Sequence, residues 1–195
     1  MRYEQSSQVE AHPQKSALTR RDFLKRAGVA AAGALLVPSA EAFTRSLNRE
    51  RILSFYNPNT DEELALAYSI DSQYDARLMR RFSEFMRDHH TNKVHPIDPA
   101  LLDLLYAVSV LTRSNGTFQV ISGYRAPETN HMLRRRSHRV AEHSLHMQGR
   151  AIDIRMSDAP VRTVRKVGMA LQRGGVGYYP SANFVHLDTG DVRAW

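Results

Sequence analysis

The chain has 195 residues, 27 Lys+Arg against 20 Asp+Glu, no cysteine and 42% hydrophobic residues. That suits one domain with a single sizeable core plus an appendage, and it excludes wholesale disorder, collagen and coiled coil. Without cysteine there is no disulfide scaffold, no thiol catalysis and no Cys-ligated metal, so any bound metal must be held by His, Asp and Glu.

Residues 1–18 are polar and irregular. Thr19-Arg20-Arg21-Asp22-Phe23-Leu24-Lys25 follows, then an Ala/Gly-rich apolar run from Ala27 to Val37. Pro38 breaks the run, and Ala40-Glu41-Ala42 places small residues where a signal peptidase needs them. Basic, short apolar, then A-x-A is the layout of a cleaved export signal, and the run falls short of the ~18–20 apolar residues of a membrane span. The paired arginines with Phe-Leu and mild hydrophobicity resemble a twin-arginine (Tat) signal. Residues 1–42 are therefore expected to be cleaved before Phe43, leaving residues 43–195 as the working domain. That remainder keeps 21 Lys+Arg and 16 Asp+Glu, a net +5. An exported, moderately basic domain points to an acidic envelope polymer and away from nucleic acid.

The mature chain reads as α+β. Arg51–Tyr56 and Glu63–Ser69 are strand-like around the turn Asn57-Pro58-Asn59-Thr60-Asp61. Asp75 to His89 has helical apolar spacing at Leu78, Met79, Phe82, Phe85 and Met86. Asp98-Pro99 opens a second helix, Ala100–Thr112, with Leu101, Leu104, Leu105, Val108 and Leu111 inward. After Asn115-Gly116 come a strand, Thr117–Ile121, a loop from Ser122, and a helix from Pro127 to about Arg136. Ala151–Arg155 reads as a strand and Asp158–Arg173 as a helix capped by Gly174-Gly175. Val176–Tyr179 and Asn183–Leu187 form a hairpin through Pro180-Ser181. Tyr178, Tyr179 and Trp195 read as packing or cleft-wall residues, and Arg134–Arg139 as a solvated basic helix end.

The chemistry concentrates in two places. In Ser144–Asp153, His146 lies at a loop that Gly149 lets turn tightly, and Asp153 interrupts the apolar strand Ala151-Ile152-Asp153-Ile154. A carboxylate there needs compensation. Downstream, His186 and Asp188 stand two apart in Phe184-Val185-His186-Leu187-Asp188 and so share a strand face. Two His and one Asp with a fourth position open is the composition of a catalytic zinc site. The same residues alone also fit a hydrogen-bonded core histidine and an Asp paired with an arginine.

Ser144-Leu145-His146-Met147-Gln148-Gly149-Arg150-Ala151-Ile152-Asp153 matches S-x-H-x-x-G-x-A-x-D, the pattern of the zinc D-Ala-D-Ala peptidases. It is also similar to the corresponding segment of the hedgehog signalling domain, which shares their fold. Leu53–Asn57, His95–Leu105, Ser122–Asn130 and Gly174–Gly190 further resemble the Tat-exported murein endopeptidases of Gram-negative bacteria. The resemblance implies a small antiparallel sheet carrying the zinc site, flanked by helices (the lysostaphin-type, D-Ala-D-Ala metallopeptidase-like fold). It implies one zinc held by His146, Asp153 and His186, and hydrolysis of peptidoglycan cross-links in the periplasm. A D-Ala carboxypeptidase or a non-catalytic peptidoglycan-binding module are the alternatives.

By the same resemblance Arg125 faces the developing oxyanion and contacts substrate, and Ser144 hydrogen-bonds substrate or the zinc-binding loop. The general base has no match. The dipeptidases carry a glutamate three residues before the last zinc histidine, where this chain has Asn183, and the hedgehog-like proteins six before, where it has Pro180. Asp188 is the first candidate, with orientation of an imidazole as its other reading; His143 is the second.

Overall fold

The structure, a computed structural model, describes residues 51–68, 74–137 and 140–195. The signal with its cleavage point before Phe43 lies outside them, as do Ser69, His138 and Arg139. Strands β1 (Arg51–Asn57) and β2 (Glu62–Tyr68) pair antiparallel around the expected turn. There the Asn57 side chain accepts the Asn59 backbone N–H at 2.9 Å, the local bond that makes Asn a turn residue.

Helix α1 (Ala76–Phe85) is capped by Asp75, whose carboxylate accepts the Arg77 N–H at 2.9 Å. It stops four residues short of the expected end at His89. The Asp88 carboxylate takes the backbone N–H groups of His90 and Thr91 at 2.8 and 3.2 Å, bonds that compete with another helical turn. Helix α2 (Ala100–Thr112) has the expected bounds, with Asp98 accepting from the Ala100 N–H. It buries Leu101, Leu102, Leu104, Leu105 and Val108, whereas Leu111, expected inward, is exposed.

Strand β3 (Phe118–Ser122), helix α3 (Pro127–Arg136) and strand β4 (Ala151–Met156) follow. Helix α4 (Val161–Leu171) begins only after Pro160, because Asp158 is held instead by the Ser114 hydroxyl. It ends at Gln172, which takes the left-handed φ of 52°, and not at the expected glycine pair. Strands β5 (Gly175–Tyr179) and β6 (Phe184–Asp188) form the expected hairpin, and β7 (Arg193–Ala194) is a two-residue addition too short to leave a pattern.

The sheet is larger than expected and not purely antiparallel: seven strands in the order β2-β1-β3-β4-β6-β5-β7, with β1–β3 and β5–β7 parallel. The first parallel pair arises because the chain crosses over through α1 and α2 before β3 returns beside β1.

Cross-strand register sorts the side chains. Phe55, Phe118, Val120, Ile152, Ile154, Val185 and Leu187, each no more than 1% exposed, form the face covered by helices. Phe82 and Phe85 of α1 lie 5.4 and 5.9 Å from the Phe55 ring, and α4 reaches Leu187 and Val176 closely through Gly168. On the other face Asp153, His186 and Gly177 stand side by side, flanked by Asp188 and Tyr179. An irregularity between Val120 and Ser122 brings Ser122 opposite Asp153, a bulge that turns the loop beyond it toward this face.

Candidate metal centre

His146 sits on a single 3-10 turn, Leu145–Gln148. Ser144 caps that turn by accepting the His146 N–H, and Gly149 closes it at φ 66° against the Pro96 carbonyl, where a Cβ would not fit. Asp153 on β4 and His186 on β6 are direct cross-strand partners. The three donor atoms make a tight triangle. Asp153 Oδ1 is 3.3 Å from His146 Nε2 and 2.9 Å from His186 Nδ1, and the two ring nitrogens are 3.1 Å apart. All three residues are buried, at 2%, 7% and 8% exposure.

The outer ring nitrogens decide what the inner ones can be. His146 Nδ1 lies 2.7 Å from the Gly123 carbonyl oxygen, which only accepts, so Nδ1 carries the proton and Nε2 a lone pair. His186 Nε2 lies 3.0 Å from Asp188 Oδ2, which fixes its proton there and leaves a lone pair on Nδ1. Two lone pairs and a carboxylate oxygen therefore point at one spot. Such a triangle is repulsive unless a cation occupies it. Donors 2.0–2.1 Å from a tetrahedral zinc lie roughly 3.3 Å apart, close to the observed edges. The residues fit a divalent ion with two imidazoles and one carboxylate. Among the described residues they are the one group of His, Asp and Glu that could hold it.

Electrostatics agree. Burial pushes the His146 imidazole toward its neutral form. Burial opposes charge on Asp153, yet His146 and His186 hold its carboxyl well below the usual carboxylate range. For His186 burial is outweighed by hydrogen bonds to Asp153 and Asp188, which raise it to about 9. A proton there satisfies the same triangle that a metal would.

Arg125 is brought to this centre. Its Nη2 is 3.7 Å from Asp153 Oδ2 and 3.4 Å from Ser122 Oγ, and its backbone N–H donates to the His146 carbonyl. Burial lowers its pKa, against the charges of Asp153 and Asp88. Asp88 gave no sequence signal beyond its place in a helical pattern. It is 2% exposed and its Oδ2 accepts the Ala126 N–H at 2.7 Å, pinning the loop that carries Arg125.

Ser144 is buried and serves the His146 turn. His143 is exposed and is not brought into the triangle. Asp188 shares the expected face with His186 but does not suit the role of proton acceptor. It is fully buried, and its oxygens take five donors: the Gly175 and Gly190 N–H groups, His186 Nε2 and two nitrogens of Arg193. Those bonds hold its pKa down, against burial, at about 2. Gly174 and Gly175, expected as a helix cap, instead leave room for Asp188. Gly177 leaves room for Trp195, whose ring lies 5.2 Å from that of His186.

The sequence profile of a family described as peptidoglycan L,D-endopeptidase MepK matches residues 45–195. The chain is 39% identical over 177 residues to the probable peptidoglycan L,D-endopeptidase MepK of Haemophilus influenzae, spanning 90% of this chain and 95% of that protein. It is 39% identical over 176 residues to the peptidoglycan L,D-endopeptidase MepK of Escherichia coli K12, spanning 90% and 96%. No solved structure matches the chain. With a buried His-Asp-His triangle on one sheet face and likeness over nearly its whole length, the chain belongs to the MepK family of peptidoglycan L,D-endopeptidases.

Proposed function

We propose that the chain is a zinc-dependent murein endopeptidase that hydrolyses L,D peptide cross-links of peptidoglycan outside the cytoplasm. The observation that carries this reading is the convergence of one ligand atom each from His146, Asp153 and His186 beside Arg125. His146, Asp153 and His186 would hold a divalent ion, which when bound would supply a water of near-neutral pKa and a Lewis acid for the scissile carbonyl. Gly123 and Asp188 keep both imidazoles in the tautomer that offers lone pairs inward. Asp188 acts as a positioning residue for His186. Arg125, held by Ser122, Asn130 and the Asp88-pinned loop, presents a fixed cation to the oxygen that gains charge as the carbonyl becomes tetrahedral.

The bond class follows from the relatives' name. A link between two diaminopimelates joins an L-centre carbonyl to a D-centre amine, whereas D-Ala to diaminopimelate is a D,D bond. Residues 1–42 are proposed as a Tat signal that takes the folded enzyme to the periplasm. The twin arginines support this, as does a family match that begins at residue 45, just past the expected cleavage point. No helix among the described residues is long and apolar enough to cross a membrane.

The test is digestion of purified cross-linked muropeptides by residues 43–195, with and without chelator, read by mass. Conversion of diaminopimelate-linked dimers to monomers, abolished by chelator and restored by zinc, is expected. Loss of a single D-Ala without monomers would make it a carboxypeptidase. Binding without any mass change would make it a recognition module.

A further inference from the structure

Strand β5 ends with two tyrosines that alternate across the sheet. Tyr178 faces α4, with the Arg165 guanidinium 4.9 Å over its ring. Tyr179 lies on the opposite face, two residues along from Gly177, which is paired with His186. The Tyr179 ring is held by stacking on Phe184, with centroids 4.5 Å apart and planes within 18°. Its hydroxyl oxygen is 2.8 Å from the Trp195 indole nitrogen.

That last contact has a definite direction. An indole N–H can only donate, so the Tyr179 oxygen accepts, and among the described residues no acceptor takes the hydroxyl proton. The indole that fixes it fills the space left by Gly177 and lies against the His186 ring. The phenol is half-buried and its hydroxyl stands in an exposed position. A rigid aromatic ring, an oxygen already fixed by one bond and an uncommitted proton make a preorganised donor, the kind of group that favours developing charge.

We propose that the Tyr179 hydroxyl is a catalytic residue that donates a hydrogen bond to the scissile peptide group as its carbonyl oxygen gains charge. The phenol keeps its proton throughout and no bond to it is made or broken. Trp195 is the positioning residue that fixes where the hydroxyl sits. The inference rests on the endopeptidase reading above and adds a second donor to Arg125.

The experiment compares wild type, Tyr179→Phe and Trp195→Phe on purified diaminopimelate-linked muropeptide dimers. For each, kcat and KM, zinc content by mass spectrometry and the melting temperature are measured. Tyr179→Phe keeps the stack on Phe184 and removes only the hydroxyl. The expected result is a kcat lower by about 100-fold, with KM within about threefold and zinc unchanged, since one oxyanion donor is worth ~10²–10³ in rate. Trp195→Phe, which frees the hydroxyl without deleting it, is expected to lose about tenfold or less.

An unchanged kcat in Tyr179→Phe overturns the proposal, as does a rise confined to KM. Equal losses in the two variants would mean that the hydroxyl merely anchors the indole, and loss of zinc in Tyr179→Phe would mean a structural role; either result also overturns it. If wild-type, zinc-loaded protein cuts no dimer, the endopeptidase reading itself fails, and this inference with it.

Discussion

Alternate residues of β4, β6 and β5 go to opposite faces, and the two faces are built on different physics. Toward α4 stand Ile152, Ile154, Val185, Leu187 and Val176, all nearly inaccessible, and what matters there is volume and fit. Toward the other side stand Asp153, His186 and Asp188, equally buried but polar, and there each lone pair and proton must be assigned. The apolar face tolerates nothing too large, and at Gly168 even an added Cβ would lie 2.9 Å from Leu187. The polar face tolerates nothing unpaired, and its inner triangle needs a proton or a metal ion between the donors. The difference separates what folds this protein from what makes it a peptidase.

Single substitutions on each side test that division. Asp153→Ala should abolish cleavage, by at least about a thousandfold, and reduce bound zinc to near zero by elemental analysis, because the triangle loses its only anionic donor. Leu187→Ala, next to His186 on β6 but on the opposite face of the sheet, should cost about 3 kcal/mol in denaturant unfolding while kcat per folded molecule stays within about twofold. If Leu187→Ala abolished turnover in fully folded protein, the faces would not be separable.

Asp188→Asn sharpens the comparison within the polar face. As an orienting carboxylate its loss should weaken zinc binding by about 10–100-fold in chelator competition, with activity restored by excess zinc. A general base would give the reverse, full zinc occupancy and no turnover. Asp88→Asn should have the smallest effect, about 1–2 kcal/mol at pH 7. Burial works against the Asp88 charge, but the hydrogen bonds it receives hold its carboxyl below the ordinary value of about 3.9. Its stabilisation is therefore present at neutral pH and lost as pH falls below about 4, so the gap between wild type and Asp88→Asn should narrow as the pH is taken down through the acid range.

The residues of the candidate site were legible because each stood out locally: Asp153 in an apolar strand, His186 two residues before Asp188 on one strand face, His146 before a turn glycine. The bounds of α2 and α3 came directly from Asp98-Pro99 and Pro127. What escaped depends on partners distant in sequence. Asp88 bonds Ala126 across 38 residues, and nothing in Arg87-Asp88-His89 announces that. Gly174 and Gly175 looked like a cap because a glycine pair after a helix usually is one, but the space they leave is taken by a residue 13 positions on. The role of Asp188 could not be read because pattern gives a face and not the number of donors already there. Sheet size was underestimated for a similar reason: β7 exists only as an addition to β5.

The three proposed ligands come from a 3-10 turn and two strands, and His146 and His186 are separated by 40 residues. No short stretch of unfolded chain gathers them, so the proposed site forms with the finished sheet and an ion would bind the folded chain. Whichever compartment the chain folds in then supplies the ion, and the affinity series for divalent metals gives copper the advantage wherever it is free. A carrier that moves proteins already folded, as the twin arginines at 20 and 21 predict, would let the cytoplasm choose the metal before the envelope could.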